Sequence, residues 1–459
     1  MSFTSIPFLM MFLPITVMIY VVSPKRLKNL SLVICGGIFS LWGDWERFWT
    51  LPAVIAVSFV FGIIIENAKD KKLRKLAFWL GVILELAVLC WFKYGKLLNR
   101  YYYPKAIDPS TMPTGLSFLI FFAVSYLADI YSGKAHAQNN PINTALYLSF
   151  FPSSMSGPID LYRNSVTDIL SRKVTLDDIS FGCKRFVIGL GKKVILADYF
   201  GLICSRIYSV RIMYLPGTVL WLGITLFALQ IYYDFSGYSD MAVGLGRIFG
   251  FHLSENFSYP YMAESISDFW RKWHISLSTW FREYVYIPLG GNRKGTARTV
   301  FNLLIVFFLT GIWHGSGATF VLFGLWHGIC VIADRFIANR LPKPVKRALT
   351  LAEVLVGWVL FRSSSVTEAA EYFGNMLTFS AGYPAYRFSQ FFDIKTAVLL
   401  LAAILGCGVI QKLIPSLREK IGSEKEMGWG QVLLLLMLFF ICLAKIIAGT
   451  YNAFIYFQF

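Results

Sequence analysis

Phe301-Asn-Leu-Leu-Ile-Val-Phe-Phe-Leu-Thr-Gly-Ile-Trp-His-Gly315 decides how this chain is read. The run from Phe301 to Thr310 has the character of a membrane helix. It closes on the imidazole of His314, where Gly311, Gly315 and Gly317 let the backbone bend. An ionisable side chain at membrane depth is costly and by default marks a site of function. Working outward, three of the five histidines lie between Ser265 and Gly328, and each follows a tryptophan: Trp273-His274, Trp313-His314 and Trp326-His327. With 13 Trp in 459 residues, that pairing is not accidental.

Composition supports the membrane reading. Hydrophobic residues make up 56%, charged residues 15%, and the mean hydropathy is +0.58. In a soluble domain charged residues approach about a quarter. Each span needs about 20 apolar residues, and the chain supplies many such runs with short polar breaks, leaving no room for a sizeable soluble domain. The net charge of +17 sits in short clusters between apolar runs, which topology explains better than nucleic acid does. The seven cysteines are scattered, with no CxxC pair and no metal spacing. They read as small buried hydrophobes.

Taken in order, Ile6 to Val22 reads as a first span rather than a removable signal, followed by a basic loop from Pro24 to Lys28. Spans at 30–45 and 51–65 lead to a second basic loop from Lys69 to Lys75. Phe78 to Phe92 then crosses to an outer loop from Asn99 to Met112. After an apolar run to Tyr131, Leu148 to Pro158 is too broken by Pro and Gly to cross alone. It is expected to be re-entrant, where protein or a watery cavity satisfies its backbone. Asp160 to Asp178 is polar and expected in the cytoplasm. Lys184-Arg185 and Lys192-Lys193 flank a segment that suits a helix lying at the interface. Thr218 to Tyr233 is a further span ending in the run Asp234 to Asp240, which is too polar for lipid contact and must face the protein interior. Beyond the histidine window come a basic loop from Arg340 to Arg347, a span around 351–360, and an outer stretch from Arg362 to Lys395. Two last spans, 397–410 and 432–447, surround a basic loop from Lys412 to Lys425. The sum is an all-α polytopic membrane protein of about 10 to 12 spans, both termini outside. It reads as one integral membrane domain over 1–459, with core motifs at 230–330 and C-terminal helices at 349–459.

Several chemistries are excluded. No HExxH, no phosphate loop ending in GK[ST] and no GxSxG elbow occurs. A membrane histidine without metal or nucleotide machinery is most simply a general base. For His314 that role needs neutral imidazole, which burial favours by lowering its pKa below about 6.5. The alternative is a structural histidine bonded to a carbonyl freed by the glycine break. Around His274, the residues Asp268, Lys272 and Ser276 alternate with aromatics, and Asp268, Arg271, Trp273, Arg282 and Glu283 can form a partly buried polar network. An interfacial amphipathic helix is the competing reading. His327 is expected to support or pack, and His136 and His252 to sit in loops or at the interface. Asp234, Ser236, Tyr238 and Asp240 line a tunnel, coordinate a cation or simply cap a span end. Arg271, Lys272, Arg282, Arg293 and Lys294 can neutralise phosphates of an anionic donor, or anchor the topology.

Ser265-Ile-Ser-Asp-Phe-Trp-Arg-Lys-Trp-His-Ile-Ser-Leu-Ser-Thr-Trp-Phe-Arg-Glu-Tyr-Val-Tyr-Ile-Pro-Leu-Gly-Gly-Asn-Arg293, with Leu309-Thr-Gly-Ile-Trp-His-Gly315 after it, resembles the membrane-bound O-acyltransferase family, and within it the bacterial alginate O-acetyltransferase branch. Tyr232 to Ala242, Glu255-Asn-Phe257, Phe151-Pro152 and Gly157-Pro-Ile159 match the same branch in the same order. The resemblance implies a ring of tilted helices with re-entrant pieces around a central tunnel. It puts the family's invariant histidine on His314, beside Trp313, and its second motif histidine on His274. It further implies acetyl-CoA as acyl-donor substrate with no bound cofactor, no metal, and an extracytoplasmic partner protein that passes the group to a polysaccharide. The setting implied is a bacterial inner membrane. Ser153, Ser154 and Thr114 depart from the branch's usual residues and leave the polymer open. A teichoic-acid D-alanylation-like enzyme fed by a carrier protein, and a transporter in which His314 relays protons, are the competing classes.

Overall fold

The computed structural model describes residues 1–43, 45–102, 112–337, 341–414, 416 and 427–449. Most of the expected outer loop from Asn99 to Met112, and most of the basic loop from Lys412 to Lys425, lie outside the described residues. Among those described, every regular element is helical, and an isolated antiparallel bridge joins Phe257 to Trp273. Among the described residues, seven helices are long and apolar enough to cross a membrane: Thr50–Asn67, Lys71–Gly95, Gly217–Ile248, Thr296–His314, Ala318–Arg335, Ile394–Leu413 and Trp429–Ile447. Two shorter apolar helices, Phe8–Val22 and Leu116–Tyr131, accompany them. The protein is a multi-pass membrane protein.

Backbone packing divides the chain into two units. The first holds residues 1–188, 238–255 and 424–437. It contains α1 (Leu13–Val22), α2 (Lys28–Gly43), α3 (Thr50–Asn67), α4 (Lys71–Tyr102), α5 (Leu116–Tyr131), α6 (Pro141–Ser149), α7 (Phe151–Ser154), α8 (Tyr162–Ser171) and most of α9 (Leu176–Gly191). Phe3, Phe8, Phe12, Phe39 and Phe151 interlock as its aromatic core, with ring centroids 4.9–6.3 Å apart. The broken segment Leu148 to Pro158 forms the end of α6 and the single turn α7. It is held close because Gly36 of α2 lets the Ser149 carbonyl approach to where a Cβ would stand 2.1 Å away.

The second unit holds residues 189–237, 256–423 and 438–459. Its elements are α10 (Asp198–Tyr208), the first part of α11 (Gly217–Ile248), α12 (Ile266–Lys272), α13 (Ile275–Phe281), α14 (Thr296–His314), α15 (Ala318–Ile337), α16 (Lys343–Arg362), α17 (Val366–Leu377), α18 (Ile394–Ile404), α19 (Ile410–Leu413) and most of α20 (Trp429–Ile447). Side-chain caps start several of these: Ser265, Ser365 and Asp393 accept from the backbone N–H of Asp268, Glu368 and Thr396. α14 and α15 form a tight hairpin. Gly311 and Gly324 permit it, since a Cβ would meet the Phe320 carbonyl at 2.5 Å and the Phe307 carbonyl at 2.2 Å.

Two expectations need correction. The polar run Asp234 to Asp240 does not end a span; α11 continues through it to Ile248. The buried acids are tolerated there because each has a basic partner: Lys193 Nζ lies 2.6 Å from Asp234, and Arg185 lies 2.5 Å from Asp240. The segment around Phe186 to Gly191 likewise does not present its lysines outward as an interfacial helix would. Lys184 and Lys193 are both buried, and α9 runs through a π-turn at Lys192–Ala197 into α10.

Candidate active site

His274 is placed by a break between two short helices. α12 ends at Lys272, Trp273 is extended, and His274 takes the left-handed conformation (φ 45°, ψ 54°) before α13 begins at Ile275. A non-glycine residue there is uncommon and persists only where its surroundings hold it. The strand-like strap 256–258 does so. Ile275 N–H donates to the Asn256 carbonyl (3.0 Å), and Ser258 N–H donates to the Lys272 carbonyl (3.0 Å). The Asn256 side-chain oxygen then receives three groups: His274 Nδ1 at 3.1 Å, Ser276 N–H at 3.2 Å and Ser276 Oγ at 3.0 Å. The imidazole is fully buried, with the Phe235 ring edge-on at 4.7 Å. α12 and α13 lie outside the candidate spans, and burial pushes the His274 pKa down to about 3, so the ring is neutral.

His314 is the last residue of α14, and Gly315 leaves the helix in extended conformation. A side chain at 315 would collide with the Phe320 ring, 2.3 Å from the Cβ position. Glycine therefore lets α15 fold back over the imidazole. The Trp313 ring packs against both histidines: its centroid is 4.6 Å from that of His314 and 6.1 Å from that of His274. Phe323 and Phe361 pack edge-on against His314 at 5.6 and 5.2 Å. His327 packs, as expected: it meets Trp270 and Phe323 edge-on, and Gly357 of α16 makes room for its Nε2.

The remaining candidates separate into groups. Arg271 and Arg282 stand exposed at a cavity of about 380 Å³ whose walls include Trp270, Leu277, Phe281, Val306, Phe307 and Thr310. Asp268 and Lys272, paired at 2.7 Å, line a second, more polar cavity of about 420 Å³ with Glu264, Arg347 and Lys412. Ser276 is the second ligand of Asn256. Asp234, Ser236, Tyr238 and Asp240 do not converge. Tyr238 stacks on Phe3 at 4.6 Å, the two acids pair with different bases, and Ser236 is buried without a hydrogen-bond partner for its Oγ among the described residues. Among the described residues no three His, Cys, Asp or Glu side chains are grouped to hold a metal.

Residues 72–361 match the family model for membrane-bound O-acyltransferases, a segment that contains both histidines and Trp313. The chain belongs to the membrane-bound O-acyltransferase family. This acyltransferase is 35% identical to a probable alginate O-acetylase of Pseudomonas putida, with both chains fully covered. It is 29% identical to a peptidoglycan O-acetyltransferase of Helicobacter pylori, over 81% of this chain and 78% of that one. A teichoic acid D-alanyltransferase of Bacillus subtilis matches at 31% over 48% of this chain and 58% of its own length. The protein is an O-acyltransferase.

Asn256 is the site residue that sequence reasoning passed over. It stood in the motif Glu255-Asn-Phe257, but nothing in the linear sequence brings it to His274, 18 positions away. Only the antiparallel strap of the acyltransferase does that. Lys193 was visible as a basic residue, and its burial between two acids was not.

Proposed function

We propose that this acyltransferase moves an acetyl group from cytoplasmic acetyl-CoA toward hydroxyls of an extracytoplasmic polysaccharide, by way of a partner protein, in the bacterial inner membrane. The observation that carries the reading is the packing of two buried imidazoles against the same Trp313 ring. His314 takes the proton of the acceptor hydroxyl as its oxygen attacks the thioester carbonyl carbon. The C–S bond then breaks, and the thiolate leaving group recovers the proton from the imidazolium. His274 orients the hydroxyl, and the aromatic packing around both rings keeps out water that would hydrolyse the donor. The apolar cavity with Arg271 and Arg282 at its edge suits a donor with a thin acyl-pantetheine arm and phosphates at its far end. The full-length match to an alginate O-acetylase favours acetyl transfer to a polysaccharide over D-alanyl transfer, where the matched relatives align over about half the chain.

The test is thiol release from acetyl-CoA by purified protein in nanodiscs, with wild type beside His314→Ala and His274→Ala, and with the partner present or absent. Release that requires the partner and disappears in a folded His314→Ala variant supports the reading. Undiminished release in that variant removes His314 from the chemistry. Release only from an acylated carrier protein moves the enzyme to the D-alanylation class.

A further inference from the structure

Three groups meet the side-chain oxygen of Asn256, and one of them fixes the chemistry of the others. The backbone N–H of Ser276 can only donate, so the amide atom 3.2 Å from it is the oxygen. The reverse orientation of the amide would set N–H against N–H. The ambiguity that ordinarily attends asparagine amides is therefore resolved by a main-chain donor. The same oxygen lies 3.1 Å from Nδ1 of His274, and an amide oxygen accepts only. Nδ1 must carry the proton. A neutral imidazole has one N–H, so the lone pair resides on Nε2.

We infer that Asn256 is a positioning residue that locks His274 in its Nδ1–H tautomer and turns the basic Nε2 toward the acyl-transfer centre. The inference rests on the proposed role of His274 in that centre. Position 256 is suited to the task because main-chain bonds on both sides hold it: its own carbonyl accepts from Ile275 N–H, and Ser258 N–H reaches the Lys272 carbonyl. Asn256 is 1% exposed and His274 fully buried, so water does not compete for Nδ1. A bond from a ring N–H to a fixed second partner is the usual way an imidazole's tautomer and orientation are set. Asn256 is neutral. It orients the ring without stabilising the imidazolium, which keeps His274 a hydrogen-bond acceptor rather than a cation.

Nitrogen-15 NMR of histidine-labelled protein in nanodiscs tests this directly, with His274→Gln identifying the signal. In wild type at neutral pH, His274 should show a protonated Nδ1 and an unprotonated Nε2. A proton on Nε2, or an imidazolium, overturns the inference. Asn256→Asp keeps the acceptor and adds charge, so it should preserve the tautomer and raise the pH at which the His274 ring takes its second proton, followed through the same nitrogen-15 signals. An unmoved His274 titration counts against the contact. Asn256→Ala should mix the two tautomers and lower kcat by roughly 10–100-fold, with the acetyl-CoA KM little changed. A His274→Gln variant as active as wild type would sink the catalytic role of His274 and leave the tautomer result standing, so the two failures are separable.

Discussion

Lys193 holds its Nζ 2.6 Å from Oδ1 of Asp234, with both side chains buried, and the same ammonium lies 2.7 Å from Asp198. The π-turn at 192–197 brings this about, because its extra residue lets Lys193 and Asp198 reach inward toward α11 together. Removing one partner of a buried ionic group leaves an uncompensated charge and costs about 3–5 kcal/mol, whereas replacing the whole group with neutral residues of similar size is often close to neutral. Lys193→Ala should therefore sharply lower the thermal midpoint of the detergent-solubilised protein. The triple variant Lys193→Met, Asp198→Asn, Asp234→Asn should recover most of the loss, and a triple variant as unstable as the single one would refute the argument.

Arg185 bridges Asp240 and Glu255, but the two bonds differ in worth. The Asp240 side chain is 12% exposed and that of Glu255 is 54% exposed. Asp240→Ala should cost several times more than Glu255→Ala, whose solvent-screened pair contributes about 1 kcal/mol or less. Parallel thermal midpoints in low and high salt check this, with only the Glu255 bond expected to weaken in salt.

What could be read in the sequence was what depends on local pattern. The apolar run ending at His314 forms α14, the Trp-His pairs carry three buried imidazoles, and Leu148 to Pro158 is indeed a broken element. What could not be read was set by partners distant in the chain. Asp234 to Asp240 read as a run after a span, too polar for lipid contact and so facing the protein interior, and its burial agrees, but nothing nearby in the sequence neutralises it. The bases that do so, Lys193 and Arg185, stand 41 and 55 positions away. Residues two apart on a helix also point in different directions, so an alternating polar run that looks like one lining is divided among several environments. Asn256 escaped notice for the same reason: its importance lies in one contact across a strap.

The α14–α15 hairpin makes two glycines unequal. A Cβ at Gly324 would stand 2.2 Å from the Phe307 carbonyl, in the helix that carries His314, and backbone cannot move cheaply. At Gly328 the nearest atom is the Phe307 Cβ at 3.1 Å. Gly324→Ala should cost about 1–3 kcal/mol through overpacking and depress thiol release with it. Gly328→Ala should remain near wild type in both assays. Equal effects would mean that the hairpin is looser than its contacts indicate.

Asp160, in the loop before α8, is buried and accepts from Ser254 N–H and Oγ. Burial raises its pKa to about 6 despite those bonds. The unfolded value is about 3.9. Because the folded state holds the proton more tightly, this group's contribution is fully present below pH of about 4 and is lost as pH rises through about 6. Asp160→Asn keeps an acceptor for Ser254 and removes the titration. Its thermal midpoint should therefore change less than wild type between pH 4 and 7, roughly the interval the two pKa values define. An identical slope in both proteins would show that Asp160 does not titrate there.

Arg271 and Arg282 give the donor-binding reading its most discriminating consequence. Both guanidinium groups are exposed at the edge of the apolar cavity, and neither forms an ion pair among the described residues. Lys272 beside them is already held by Asp268. Groups that grip donor phosphates far from the thioester bind ground state and transition state alike, so losing one raises KM and leaves kcat in place. Arg271→Ala and Arg282→Ala should each raise the acetyl-CoA KM by about tenfold, the amount of one charge-assisted contact of about 1.4 kcal/mol. The effect should shrink as salt rises. Lys272→Ala should change KM much less. Acetyl-pantetheine, which has no phosphate, supplies the control: its turnover should be the same in wild type and both arginine variants. If the variants slow it as much as they slow acetyl-CoA, the arginines hold the fold and not the donor.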